Sequence, residues 1–314
     1  MAWLLLGVAA ITCAAISYPV ADWRRIRLDQ AARDALVAEG KAQMFVQTSQ
    51  GFLHVRVAGP ETGQVVILVH GAVVGGQAFA NWTKPLAEAG YRVIVPDLLG
   101  YGYSERPDVA YTREFYLLQL RELIDELGID SPVHLAGASF GGIVVAEFAA
   151  ENPGDVASVA LMAPAGLGRA VVVHPVLLWP VIGDWVFRVL GAEVVTRQMA
   201  TAYAGSPDQP AMLDWMAEQS TYRGFAVGML NCLRDYDFGW RPDVFQALGR
   251  SEIPVFAAWG TDDTIHPYER TQVLQRYVPQ TKLLTLDGAG HAITYGRAEQ
   301  VLAGYSQFLR DSAR

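Results

Sequence analysis

Five residues carry the most chemical information in this chain: Gly137-Ala138-Ser139-Phe140-Gly141. They follow the apolar run Val133-His134-Leu135-Ala136 and lead into Gly142-Ile143-Val144-Val145-Ala146-Glu147-Phe148-Ala149-Ala150. Strand, sharp turn, helix is the setting in which a serine stands at the tip of a nucleophile elbow, its Oγ pushed out of the sheet. The flanking positions must then be small, because strand and helix backbones pass close to them. A serine hydroxyl alone is a weak nucleophile. A base must take its proton, and a third group must orient that base.

The six histidines give a short list for the base. His54 and His134 fall in strand-like runs and read as structural, and His174 lies in a later stretch without strand rhythm. His266 stands three residues beyond the acid candidates and reads as loop structure. His291 ends Asp287-Gly288-Ala289-Gly290-His291, a glycine-rich loop after a strand that would sit at the sheet's carboxyl edge near the serine, and is the candidate that the triad order given below favours as base. The acid should sit on a loop after another strand. Trp259-Gly260-Thr261-Asp262-Asp263 offers two carboxylates there, and for Asp262 a turn-capping side chain is the alternative reading. An oxyanion needs backbone N–H donors aimed where charge develops. The N–H of Phe140 is one candidate. The N–H of Ala72, in His70-Gly71-Ala72-Val73-Val74-Gly75-Gly76, is the other, with His70 as a residue that holds the loop.

These loops need a sheet to carry them. Phe52 to Val57 alternates as a half-buried strand, and Val65-Val66-Ile67-Leu68-Val69 is continuously apolar, as in a parallel strand covered on both faces. Further strands are read at 91–95, 133–136, 156–162, 254–259 and 282–286. Helices are read at 82–89, 112–127, from 268 and at 298–310. The pattern predicts an α/β fold: a mostly parallel open sheet with helices on both faces. Residues 50–167 and 251–314 form its two parts, and the stretch 168–250 is read as an inserted helical cap. Within it, Val171 to Ile182 carries too little charge for an exposed loop; packing onto the core and lining a site for lipophilic substrates are both open readings.

The chain resembles the α/β-hydrolase superfamily over roughly residues 50–314. The residues that carry the resemblance are His70-Gly71, Pro96-Asp97-Leu98-Leu99-Gly100-Tyr101-Gly102-Tyr103-Ser104, the turn at Ser139, Gly260-Thr261-Asp262-Asp263 and Gly288-Ala289-Gly290-His291. In that family the acid stands three residues after the glycine, which favours Asp263, and the triad runs in the chain order Ser139, Asp263, His291. The resemblance implies a serine hydrolase acting on a small lipophilic ester without metal or organic cofactor. Asp at the turn would suit epoxide hydrolases or dehalogenases, and this chain has Ser139; Val73 stands where epoxide hydrolases usually have Pro. Ser139-Phe140-Gly141-Gly142 resembles carbon–carbon hydrolases of ring-cleavage products, although those often have Trp where this chain has Ala292. A ligand-binding protein that keeps the triad with little turnover is the third reading.

The 314 residues carry 24 Lys and Arg against 32 Asp and Glu, a net charge of −8. No basic block follows a phosphate backbone, so no nucleic-acid partner is expected. Two cysteines, Cys13 and Cys232, exclude a cysteine metal cluster and make a structural disulfide a poor reading. From Ala2 to Ala21 no residue is charged. About 20 helical residues span the roughly 30 Å hydrocarbon core, so residues 1–21 are read as a transmembrane anchor, with a cleaved signal or a buried helix as alternatives. Residues 22–49 follow as a helical linker. Arg24, Arg25 and Arg27 after the apolar run place the hydrolase domain in the cytoplasm on this reading, with export as the competing outcome. Oligomeric state is not legible.

Overall fold

The computed structural model describes residues 16–21, 23–168, 174–202 and 209–312. Eight strands form one sheet: β1 (Met44–Thr48), β2 (Gly51–Ala58), β3 (Val65–Val69), β4 (Arg92–Pro96), β5 (Val133–Ala138), β6 (Val156–Met162), β7 (Val255–Gly260) and β8 (Thr281–Leu286). Their order across the sheet is β1-β2-β4-β3-β5-β6-β7-β8. The β1–β2 and β2–β4 pairs are antiparallel and every other neighbouring pair is parallel. This is the α/β-hydrolase fold.

The apolar run of β3 shows why it is central. All five residues are buried, with Val65, Ile67 and Val69 facing one core cluster and Val66 and Leu68 the other. Helices Arg113–Glu126, Phe140–Glu151 and Pro242–Arg250 cover the first face through Tyr116, Ile143, Val144 and Phe245. Helices Ala80–Glu88 and Ala298–Ser312 cover the second through Trp82, Val301, Tyr305 and Phe308. Side chains alternate across a strand, so a strand that is apolar at every position needs both layers.

The segment read as a helical linker divides differently. A helix spans Gln30–Ala38, capped by the Asp29 carboxylate on the Ala32 N–H, and the chain turns at Gly40 with φ +71°. Residues 44–48 then pair with β2 as an edge strand; Met44 and Val46 pack on the core, Phe45 on a smaller cluster with Leu36 and Tyr103, and Gln47 is exposed.

The insertion carries helices Ile182–Val189, Gly191–Ala202, Gln209–Ser220 and Phe225–Asp235. A bridge between Leu167 and Trp240 closes its neck. Helix Pro242–Arg250, read with the insertion, packs Val244, Phe245 and Leu248 into the core beneath the elbow helix. At the same junction, buried Glu147 accepts from Arg241 at 2.8 Å and from the Tyr236 hydroxyl, which fastens the insertion's exit to the elbow helix. Of the apolar run 171–182, residues 171–173 lie outside the described residues. Leu177 and Leu178 pack against Phe187, Ala226 and Leu230, whereas Trp179, Val181 and Ile182 are exposed.

The expected transmembrane anchor is overturned. Among the described residues no helix is long and apolar enough to cross a membrane. The first fifteen residues of the expected span lie outside the described residues. The helical stretch that is described, 16–21, would cover about 9 Å at 1.5 Å per residue. It packs against the insertion, where the Trp185 indole donates to Ser17 Oγ at 2.8 Å and Arg188 lies over the Tyr18 ring. The membrane partner and the cytoplasmic placement argued from that anchor go with it.

Candidate active site

All five expected site residues lie at the carboxyl edge of the parallel strands: Ala72 on the loop after β3, Ser139 at the turn after β5 with Phe140 opening the helix behind it, Asp263 on the loop after β7 and His291 on the loop after β8. Ser139 takes φ 52° and ψ −112°, a conformation a non-glycine residue holds only when its surroundings impose it. They do so by hydrogen bonds: the Ser139 N–H donates to Met162 O, and its carbonyl accepts from Gly142 and Ala165. A Cβ at Gly137 would fall 2.2 Å from Gly141 O, and one at Gly141 would fall 2.1 Å from Val69 O. Only glycine lets strand and helix cross this closely.

The loop after β3 lies against the serine. An ideal Cβ on Gly71 would sit 3.3 Å from Ser139 Cβ and 3.9 Å from its Oγ, so Ala72 follows directly beside the nucleophile candidate. His70 holds this loop. Its Nε2 accepts from the Leu98 N–H at 2.8 Å, which leaves Nδ1–H to donate to Gly71 O at 2.7 Å. Burial lowers its pKa and keeps that neutral form. Asp97 holds the far end of the loop, its Oδ1 accepting from Gly76 and its Oδ2 from Tyr103 and His54 Nδ1. Burial alone would raise the Asp97 pKa, but the His54 hydrogen bond and nearby positive charge lower it below the ordinary carboxylate value. His54 was legible as structural, but its partner 43 residues away was not.

Asp263 and His291 are brought into direct contact, His291 Nδ1 lying 2.7 Å from Asp263 Oδ2. The acid and histidine loops are laced together by Thr261 N–H to Leu286 O and Asp262 N–H to Ala289 O. Asp263 is buried, and its Oδ1 accepts backbone N–H groups from Ile265 at 2.9 Å and His266 at 2.8 Å. Burial works to raise its pKa, but the hydrogen bond from His291 and the two backbone donors outweigh it and hold the group ionised. Asp262 is exposed and meets the hydroxyl of Thr261. Ser139 Oγ makes no hydrogen bond to His291 among the described residues, a contact that in ligand-free sites often tightens only with substrate.

Two features escaped the sequence reading. His266 lies beside His291, with ring centroids 4.9 Å apart and planes tilted by 35°. Insertion residues Met199, Trp215, Phe225 and Met229 join the same apolar cluster as Val73 and Ala292, the neighbours of Ala72 and His291. The Trp215 indole donates to Val74 O at 2.9 Å and pins the insertion to that loop. A cavity of about 630 Å³, bordered by Arg33, Arg106 and Tyr111, touches none of the five site residues.

Fold and loop chemistry together define the class. A family model for the alpha/beta hydrolase fold matches residues 64–297, and the chain belongs to that family as one of its hydrolases. Among individual proteins it is similar to Lipase 1 of Psychrobacter immobilis, 22% identical over 290 residues that cover 92% of this chain and 87% of the relative. It is also similar to the 2-hydroxy-6-oxo-6-phenylhexa-2,4-dienoate hydrolase of Burkholderia cepacia, 29% identical over 262 residues, 79% of this chain and 87% of that one. The solved esterase of Thermogutta terrifontis superposes with a TM-score of 0.70 at 24% identity, covering 86% of this chain and 98% of its own.

Proposed function

We propose that this protein is a serine hydrolase that cleaves carboxylic esters of lipophilic substrates through an acyl-enzyme. Ser139 Oγ attacks the ester carbonyl while His291 Nε2 accepts its proton, and Asp263 holds the Nδ1–H of His291. The N–H groups of Phe140 and Ala72 receive the oxyanion; as the first residue of its helix, Phe140 has an N–H without an intrahelical acceptor. His291 then protonates the leaving alcohol, and water repeats the sequence to free the acid.

The observation that carries this reading is the Asp263–His291 contact, with Asp263 Oδ1 already saturated by two backbone donors. The carboxylate has one direction left to act, toward the histidine. The likeness to Lipase 1 supports an ester substrate. The methionines, Trp215 and Phe225, packed against the same apolar cluster as Val73 and Ala292, support a lipophilic acyl group. Favouring a second reading, the likeness to the dienoate hydrolase supports cleavage of a carbon–carbon bond in a ring-cleavage product by the same serine.

Specificity constants on aryl esters from acetyl to hexanoyl, run beside a ring-cleavage dienone, separate the two. Each added CH₂ buried is worth up to about 0.8 kcal/mol, or about fourfold. A rising ester series with little dienone turnover is expected. A flat series removes the lipophilic assignment, and a dienone turned over faster than any ester transfers the protein to the second reading.

A further inference from the structure

The proposed reaction uses one histidine, yet a second is buried against it. His266 is 1% exposed, and its ring plane is inclined by 35° to that of His291. Its main chain is held on both sides: the N–H donates to Asp263 Oδ1, and the carbonyl accepts from the Trp259 indole at 2.7 Å. Its ring is held as well. Arg270 Nη1 lies 2.8 Å from His266 Nδ1, and because a guanidinium has only donors, Nδ1 is the acceptor. The imidazole is therefore neutral and carries its proton on Nε2.

Protonating Nδ1 would break that bond and set two cations together. Burial first, then the charges of His291 and Arg270, bring the His266 pKa down to about 3, with Asp263 alone opposing them. Arg270 is itself braced where the insertion begins: a Cβ on Gly168 would fall 3.3 Å from its Nη2. Arg270 thus stands between the insertion's entrance and His266, which in turn lies against His291.

We propose that His266 is a positioning residue for His291: a neutral ring, locked in one tautomer by Arg270, that packs beside the base, fixes its plane and stays uncharged next to it. This rests on reading His291 as the base. A base that becomes an imidazolium needs a neighbour that does not charge with it, since a like charge would oppose the proton transfer. A neutral aromatic ring within 4.9 Å meets that need and attracts the cation.

The test combines a measurement on the parent with two variants. In ¹⁵N-histidine spectra of the parent, His266 should show the Nε2–H tautomer and stay neutral down to about pH 5. Titration of His266 between about pH 5 and 8, or an Nδ1–H tautomer, overturns the proposal without reference to activity. His266→Asn keeps an acceptor for Arg270 but loses the ring; its kcat should fall about 10- to 100-fold with KM little changed. The acid limb of its kcat/KM profile should move down by about half a unit. His266→Phe keeps an aromatic ring and should retain more of kcat than His266→Asn. An Asn variant that matches the parent in kcat and acid limb refutes the positioning role, and so does one that loses melting temperature alone. Ser139→Ala is assayed alongside: if parental turnover survives it, the function reading has failed, whereas the spectra still report on His266.

Discussion

Replacing Asp263 by Asn tests the hydrogen-bond geometry at its most specific point. The backbone N–H groups of Ile265 and His266 both donate to Oδ1, so an asparagine must turn its carbonyl oxygen toward them. Its NH₂ then occupies the Oδ2 position, 2.7 Å from His291 Nδ1. Nδ1 can only accept there, which forces the His291 proton onto Nε2, the nitrogen that must be free to take the serine proton. In other serine triads the same change costs about 10⁴ in rate, or about 5 kcal/mol of barrier. Asp262→Asn should stay within about threefold, because the Asp262 side chain is exposed and meets the Thr261 hydroxyl, while its backbone bond to Ala289 O survives the change. The assay is kcat/KM on an aryl hexanoate at pH 8, with circular dichroism to confirm the fold. Asp263 also has a lowered pKa, so its stabilisation is present above the unfolded carboxylate value and lost as pH falls through the folded one. The variant should accordingly show a shallower loss of stability on acidification below about pH 4 than the parent. A large loss at Asp262 with little at Asp263, or equal losses at both, would refute the reasoning.

Acid should weaken the fold through its buried histidines as well. Burial brings the His134 pKa down to about 4, so the unfolded chain takes the proton first and stability falls as pH drops from about 6.5 toward 4. The loss from pH 7 to 5 is about 2 kcal/mol for His134 and about as much for His266, partly opposed by Glu147, whose raised pKa returns stability as pH falls. Melting temperature should drop between pH 7 and 5, and His134→Gln should drop less; equal drops would discount the linkage. Gly141→Ala drives a Cβ to 2.1 Å from Val69 O and should lower the denaturant midpoint by the equivalent of about 3 kcal/mol or prevent folding. Gly154→Ala, with nothing within 4 Å, is the control and should be close to neutral; similar midpoints for the two would contradict the close crossing of strand and helix.

What the sequence made legible was the part in which local pattern and global position agree. The run Val65 to Val69 is apolar at every residue because both of its faces are covered, and the glycines around Ser139 are small because two backbones cross there. The choice between Asp262 and Asp263 came from the family resemblance, in which the acid stands three residues after the glycine, and the structure puts Asp263 against His291. Strand β1 was missed because the Ala- and Arg-rich helix before it blurs into Met44–Thr48, and its pairing with β2 is a tertiary fact. His266 looked like loop structure because nothing in Thr264-Ile265-His266-Pro267 announces a ring packed against a histidine 25 positions later. The apolar N-terminal run misled in another way. Hydropathy reports that a segment avoids water and is silent on what it packs against, and residues 16–21 lie on the insertion.

The most direct test of the central claim is labelling with a fluorophosphonate, which reacts with a serine only when a base activates it. Intact-mass and peptide analysis should show one adduct, on Ser139. The Ser139→Ala variant should take no label and lose about 10⁴- to 10⁶-fold in ester turnover while melting like the parent. An adduct on another residue, or a Ser139→Ala variant with turnover close to that of the parent, would contradict it.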